Sequence, residues 1–285
     1  MPRAESVPEL IAARPCLPQT NHRVYNVHHF EDNAGVISVE AIAAIINAEA
    51  PDLVGLQEVD RCAVRTGGVD FTAELERLTG MRAVFGDNLA LGSEGEYGNA
   101  ILSKLPVVRS DNRLLPKLDG GTEQRGLLWA TVSTNDDGGS LVFATTHLEH
   151  TSAAERAHQV AAVRQILATV VADAPLVLCG DFNARPHNDE LEEMFSGGWG
   201  LIDAWEEWEE SGDGTDGFTI PSEPAPRARI DYIILEAAAG LTAVEARVAA
   251  EQNPGASDHL PVVADITVQT PATAAVSSSG GGSRL

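Results

Sequence analysis

Polar side chains interrupt apolar runs at a recurring place in this sequence. Asn26 and His28 close the run VYNVHH, Gln57 and Glu58 close LVGLQEVD, and His147 closes FATTHLEH. Asp181 and Asn183 follow an apolar run in VLCGDFN, Arg229 and Asp231 open RIDYIIL, and Asp258 and His259 precede the last run in SDHLPVV. Singly, each has a structural reading: a strand-end aspartate caps a turn, and a lone histidine packs. Gathered in one pocket, they make a rim of four carboxylates with two or three imidazoles. Oxygen ligands with few imidazoles and no paired cysteines suit Mg²⁺ or Mn²⁺ rather than structural zinc. Mg²⁺ keeps several waters, so one or two carboxylates and a substrate phosphate can complete its shell. The histidines suit proton transfer near neutral pH.

Further residues lie close to these in sequence. Arg65-Thr66-Gly67-Gly68-Val69-Asp70 follows the Glu58 run and reads as a loop for phosphate or a sugar hydroxyl, or as a helix start capped by Asp70. Asn99, opening the run GNAILS, is a candidate pocket donor. Arg125 precedes a strand and either faces the pocket or forms an ion pair. Trp205–Glu210 (WEEWEE) reads as an amphipathic helix with a solvated face, and His187-Asn188-Asp189 as a helix cap.

The elements that position these groups alternate. Arg23–Val27, Leu53–Gln57, residues 97–103, Leu127–Ser133, Leu141–Thr146, Leu176–Leu178, Ile230–Leu235, Thr242–Val248 and Pro261–Val268 read as strands. Val36–Ala48, with Ser38 as N-cap, and Asp70–Thr79, stopped by Gly80, read as helices. Ser152 and Glu155 form a capping box before the stripe Val160, Val163, Ile166, Leu167 and Val170, which marks a helix facing the core. Asn135–Gly139 is the turn of a hairpin. Strands joined by both helices and hairpins exclude a pure parallel barrel and predict an α/β (α+β) fold of two mixed sheets face to face, with helices outside.

A 285-residue chain that is 44% hydrophobic has material for one large core. Residues 1–20 read as an irregular arm, 21–269 as the catalytic domain and 270–285, rich in Ser, Gly and Ala, as a disordered tail. The formal charge of −23 repels polyanions, and no Lys/Arg cluster is present, which disfavours nucleic acid as the partner. Cys16, Cys62 and Cys179 match neither a zinc nor a disulfide spacing and read as reduced thiols. No signal-type apolar segment and no run of about 18 apolar residues occurs. The expected location is the cytoplasm.

The motifs YNVHH, LQEVD, GNAILS, TTHLEH, GDFN, RIDYI and SDHLPV, in this order across roughly residues 22–268, resemble the endonuclease/exonuclease/phosphatase superfamily. That resemblance implies a four-layer αββα sandwich of the deoxyribonuclease I type, with the site at one edge of the paired sheets. It also implies roles. Glu58 resembles the metal-binding glutamate, Asn26 the asparagine beside it, and Asp258 a further carboxylate near the metal. Asp181 and Asn183 look like the pair that places the attacking water and holds the phosphorane oxygens. His259 looks like the histidine of the Asp–His pair, Asp231 its orienting carboxylate, and His147 the second histidine of the deoxyribonuclease and sphingomyelinase branch. His28, Arg65, Asn99 and Arg125 are the expected substrate contacts. Phe30 stands where relatives often carry glycine after the HH pair. In physical terms, a metal on Glu58 with His147 and Asn183 as donors neutralises the phosphoryl charge, while Asp181 or His259 activates water. The expected activity is Mg²⁺- or Mn²⁺-dependent hydrolysis of a phosphodiester or phosphomonoester of a small molecule or lipid headgroup. A nuclease is the alternative, and a non-catalytic binding module a third.

Overall fold

The structure, a computed structural model, describes residues 19–268 apart from 94, 120, 122, 135–138, 172–173, 197, 210–215 and 250–254. Nearly all of the expected arm, the whole expected tail, the hairpin turn at 135–138 and part of the acidic segment lie outside the described residues. In chain order the strands are β1 (Thr20–Asn26), β2 (Leu53–Arg61), β3 (Arg82–Leu91), β4 (Gly95–Ser103), β5 (Val107–Leu114), β6 (Gly126–Ser133), β7 (Ser140–His147), β8 (Leu176–Asp181), β9 (Leu201–Asp203), β10 (Asp231–Glu236), β11 (Leu241–Val248) and β12 (Val262–Val268). The helices are α1 (Val39–Glu49), α2 (Phe71–Thr79), α3 (Ala153–Val170), α4 (Asp189–Phe195) and α5 (Ala204–Glu209).

The strands form two six-stranded mixed sheets, ordered β11-β12-β1-β2-β4-β3 and β5-β6-β7-β8-β10-β9. Each has one parallel pair at its centre, β1 with β2 and β7 with β8, flanked by antiparallel neighbours. A parallel pair needs a crossover, and α1 and α3 supply the two. Alternation along the central strands separates three cores. In β8, Val177 and Cys179 face the other sheet while Leu176 and Leu178 face α3 and α4. Tyr25, Val54 and Leu56 of the first sheet pack on Ile42, Ile46, Phe71 and Leu75 of α1 and α2. The layers are therefore helix, sheet, sheet, helix, as expected from the sequence.

Helix boundaries follow their caps. Ser38 Oγ accepts from Ala41 N (3.2 Å), so α1 starts at Val39 rather than Val36. Asp70 caps α2 through Ala73 N (3.1 Å), and Gly80 ends it at φ 69°. The strand expected at Leu176–Leu178 runs on through Gly180 to Asp181. A Cβ at Gly180 would collide with Thr146 O of the neighbouring strand, so the glycine is there for close approach rather than for a turn.

Candidate active site

The two central parallel pairs deliver their carboxyl ends to one rim. Asn26 ends β1 beside Gln57 of β2, and His147 ends β7 beside Asp181 of β8. Asp231 opens β10 directly opposite Asp181. Because β12 runs antiparallel to β1, the segment Ser257-Asp258-His259 that leads into it arrives at the same rim. Ser257 fastens it there, donating from Oγ to Asn26 O (2.7 Å) and accepting from His259 N (3.2 Å).

Glu58 sits at a β-bulge. The register shifts between Leu56 and Val59, so Gln57 and Glu58 together oppose one residue of β4. Glu58 takes φ 58°, a strained conformation for a residue with a side chain. The bulge separates two neighbours: Gln57 donates to Thr145 Oγ1 (2.8 Å) inside the sandwich, and Glu58 turns to the rim. The turn His28–Phe30 is strained likewise, with φ of 43°, 42° and 66° at its three residues. Phe30 anchors it against Phe71 (centroids 4.2 Å apart). The turn sets His29 Nδ1 3.8 Å from Glu58 Oε2, whereas His28 bonds its own loop, Nδ1 to Glu31 O (3.2 Å).

One amide joins the two sheets at this point. Asn26 Nδ2 donates to Glu58 Oε1 (2.9 Å) and to Asp181 Oδ2 (3.0 Å). Asp181 Oδ2 also faces His147 Nε2 (3.4 Å) and His259 Nε2 (3.6 Å), and Asp181 Oδ1 accepts from Asn183 N (2.9 Å). Asn183, at φ 49°, brings its Nδ2 to 3.0 Å from both His147 Nε2 and Leu148 O.

The two histidines have opposite backing. His259 Nδ1 donates to Asp231 Oδ2 (2.8 Å), which also accepts from Thr219 Oγ1 (2.6 Å). His147 Nδ1 instead meets Arg125 Nη1 (2.9 Å), and Arg125 is 3% exposed. A guanidinium can only donate, so Nδ1 of His147 accepts and its ring proton lies on Nε2, facing Asp181 Oδ2 (3.4 Å), while the Asn183 amide donates to Leu148 O. Burial would lower the His259 pKa, but Asp231, Asp181 and Asp258 outweigh it and raise it. Burial and the Arg125 charge hold His147 well below its usual value. Asp181 is raised by burial and by the charge of Asp231. Burial would raise Glu58, yet the neighbouring His29 imidazole and the hydrogen bond from Asn26 hold it below the usual carboxylate range.

Two donor sets could receive a cation, and they share Asp181. Asp181, Asp231 and His259 offer ligand atoms within 4.8 Å of one another. An imidazolium has no lone pair to give, however, and His259 is held in that form by its carboxylates. The other set is Glu58 and Asp181, both turned toward Asn26 Nδ2. Buried carboxylates with an excess of negative charge fit a hard divalent ion such as Mg²⁺ or Mn²⁺.

The remaining expected residues lie as follows. Asp258 is half-buried, receives Ser257 Oγ at 3.5 Å, and stands outside the Asp181–Asp231–His259 group. Asn99 is buried and donates to Gly126 O (3.0 Å), tying β4 to the strand that follows Arg125. Arg65 pairs with Asp60 and flanks Glu58. Arg229 pairs with Asp203 and Glu206 beneath α5 and takes no part in the rim. Sequence reasoning missed His29, Thr219 and Ser257. Only the HH pair hinted at the first, and no periodicity marks the others. A groove of about 400 Å³ lies on the far face of the second sheet, between Arg109, Trp129 and the end of α3, and holds none of these residues.

The sequence model of the Endonuclease/Exonuclease/phosphatase family matches residues 24–259, an interval that contains the whole rim. Among solved structures, the chain is similar to an endonuclease/exonuclease/phosphatase from Beutenbergia cavernae DSM 12333, at 27% identity and TM-score 0.69, over 89% of this chain and 73% of that one. It is similar in fold to a mannosyl-6-phosphatase from Bacteroides thetaiotaomicron VPI-5482 (17% identity, TM-score 0.70, 87% and 99% of the two chains). It is similar in fold also to TDP2 from D. rerio complexed with single strand DNA product (21%, TM-score 0.68, 87% and 98%).

Proposed function

Because the chain belongs to the endonuclease/exonuclease/phosphatase family and is a phosphoric ester hydrolase, we propose that it cleaves a phosphodiester or phosphomonoester of a small molecule or lipid headgroup by in-line attack of an activated water. The observation that carries this reading is the face-to-face placement of Asp181 Oδ2 and His259 Nε2, 3.6 Å apart, with Asp231 behind the imidazole. A water on the open side of this pair, within reach of both atoms, would accept a hydrogen bond from the His259 imidazolium while giving its proton to Asp181. Asp231 keeps the ring oriented and stabilises its imidazolium form.

His147, with its proton on Nε2, is a neutral donor aimed at the same place. Together with the Asn183 amide it would hold the non-bridging oxygens as charge builds on them. Glu58 and Asn26, with Asp258 further out, would hold Mg²⁺ or Mn²⁺, and the bound cation supplies charge neutralisation at the phosphoryl group and at the leaving oxygen. The charge of −23 supports a small substrate over a nucleic acid.

The test is release of nitrophenol from bis(p-nitrophenyl) phosphate with Mg²⁺, Mn²⁺ or EDTA, for the wild type beside His259→Ala. Metal-dependent turnover that disappears in the variant is expected. Turnover that survives in His259→Ala, or in EDTA, would remove these roles. Mg²⁺-dependent nicking of plasmid at low salt, lost in Asp181→Ala, would replace the small substrate with a nucleic acid.

A further inference from the structure

Asp60 is fully buried in β2, two residues beyond Glu58, and a buried carboxylate needs a partner. Its partner is Arg65, on the short turn Val64–Thr66. Arg65 Nε donates to Asp60 Oδ2 (2.8 Å) and Nη2 to Asp60 Oδ1 (2.7 Å). Thr66 Oγ1 adds a third bond to Asp60 Oδ2 (3.1 Å). The guanidinium lies over the ring of Tyr97, 5.3 Å from its centroid, and Tyr97 is the register partner of Asp60 on β4. Helix capping does not explain this arrangement, since Asp70 alone caps α2.

The result is a braced arginine with an open end. Its side chain is 47% exposed, and Nη1 has no hydrogen-bond partner among the described residues. It stands close enough to Glu58 and His29 for its charge to act on both. Asp181 and His259 take their leading charge effects from Asp231 and from each other. Arg65 is thus fixed to β2 through Asp60, two residues along the strand from Glu58. A guanidinium held flat by a buried carboxylate and an aromatic ring loses little freedom when it binds an oxyanion.

We propose that Arg65 Nη1 forms a subsite for a second anionic group of the substrate, a phosphate or carboxylate set apart from the ester that is cut. This deepens the phosphoester reading and rests on it, because a cation on Glu58 cancels the negative charge that would otherwise repel the incoming group. The substrate class is then a small phosphoester carrying at least one further negative group.

Binding measures the subsite without turnover. Calorimetry in Mg²⁺ would compare glucose 6-phosphate with glucose 1,6-bisphosphate, in a His259→Ala background that leaves the esters uncut. The bisphosphate should bind at least about tenfold more tightly than the monophosphate, the scale of one charge-assisted contact. That ratio should collapse toward one in Arg65→Gln and be intermediate in Arg65→Lys, which keeps the charge against Asp60 but loses the fork. Thermal melts identify a variant that has lost its fold, in which case Arg65→Lys decides. Equal ratios with and without Arg65, or no preference in the starting protein, would overturn the subsite. Hydrolysis of bis(p-nitrophenyl) phosphate by the wild type is scored separately, so failure of the phosphoester reading is distinguishable from failure of the subsite.

Discussion

Replacing Asp231 by Asn is the sharpest probe of the proposed proton path. The change is isosteric and removes one charge from a group whose Oδ2 accepts from both His259 Nδ1 (2.8 Å) and Thr219 Oγ1 (2.6 Å). Despite burial, the surrounding carboxylates raise His259 from 6.5 to about 10. At about 1.4 kcal/mol per pKa step, that difference is about 5 kcal/mol in favour of the imidazolium. Asp231 is the foremost of the carboxylates acting on it, and losing its charge should cost on the order of 3 kcal/mol of that preference. The expected loss in kcat is therefore on the order of 10²-fold, rising toward 10⁴-fold if the asparagine amide turns the imidazole to the wrong tautomer. The assay is kcat on bis(p-nitrophenyl) phosphate across a Mn²⁺ titration, with a thermal melt for each protein. The Mn²⁺ concentration for half-maximal activity should stay where it is in the wild type. A loss under about fivefold in a folded variant would refute the role of Asp231. A tenfold rise in the Mn²⁺ requirement would instead make Asp231 a metal ligand, as its proximity to Asp181 and His259 allows.

Three further outcomes are expected. His22 is buried, its Nδ1 without a hydrogen-bond partner among the described residues, and burial lowers its pKa to about 3. The unfolded chain then binds the extra proton below about 6.5, so stability falls as pH drops from about 6.5 toward 3, by up to about 1.4 kcal/mol per pH unit. Urea unfolding at pH 7 and pH 4 should show a smaller acid loss in His22→Leu, and equal losses would sink the assignment. At Gly55, in the middle of β2, a Cβ would collide with Cys179 Sγ and Thr145 Oγ1 across the sheet gap. Gly55→Ala should cost about 1–3 kcal/mol, seen as a Tm lower by several degrees, with partial recovery in Gly55→Ala/Cys179→Ala. Arg125→Met should let His147 titrate nearer its ordinary range in ring-proton NMR and lower kcat by roughly 10- to 100-fold. An unmoved His147 titration would mean that burial alone suppresses its charge.

What the sequence made legible follows from where the chemistry sits. Asn26, His147 and Asp181 end buried strands and Glu58 sits at the bulge inside β2, which runs on to Arg61 past the end expected at Gln57, so each appears as a polar break in an apolar run. The caps at Ser38 and Asp70 could be read for the same local reason. The edge strands β3 and β5 escaped because neither has one continuous buried face to impose a period: VVRSDNRL is largely exposed, and RAVFGDNLAL is part-buried on both sides. The Glu58 bulge escaped because one inserted residue leaves no compositional trace, only a register shift. Thr219 and Ser257 reach Asp231 and Asn26 across 12 and 231 positions, which no local pattern encodes. Arg125 and Asn99 were recognised as chemically competent, but their direction is a tertiary fact: one meets His147 and the other a backbone carbonyl.

The Asn26 amide, reaching Glu58 on one sheet and Asp181 on the other, also bears on how the molecule assembles. Neither donor set is complete on one sheet among the described residues, so an ion held by either would be captured only after the two halves have docked. A divalent ion should then leave the folding rate unchanged and act on the reverse step, slowing unfolding in proportion to the stability it adds. Late capture would make the ion a latch on the finished sandwich rather than a template for its formation.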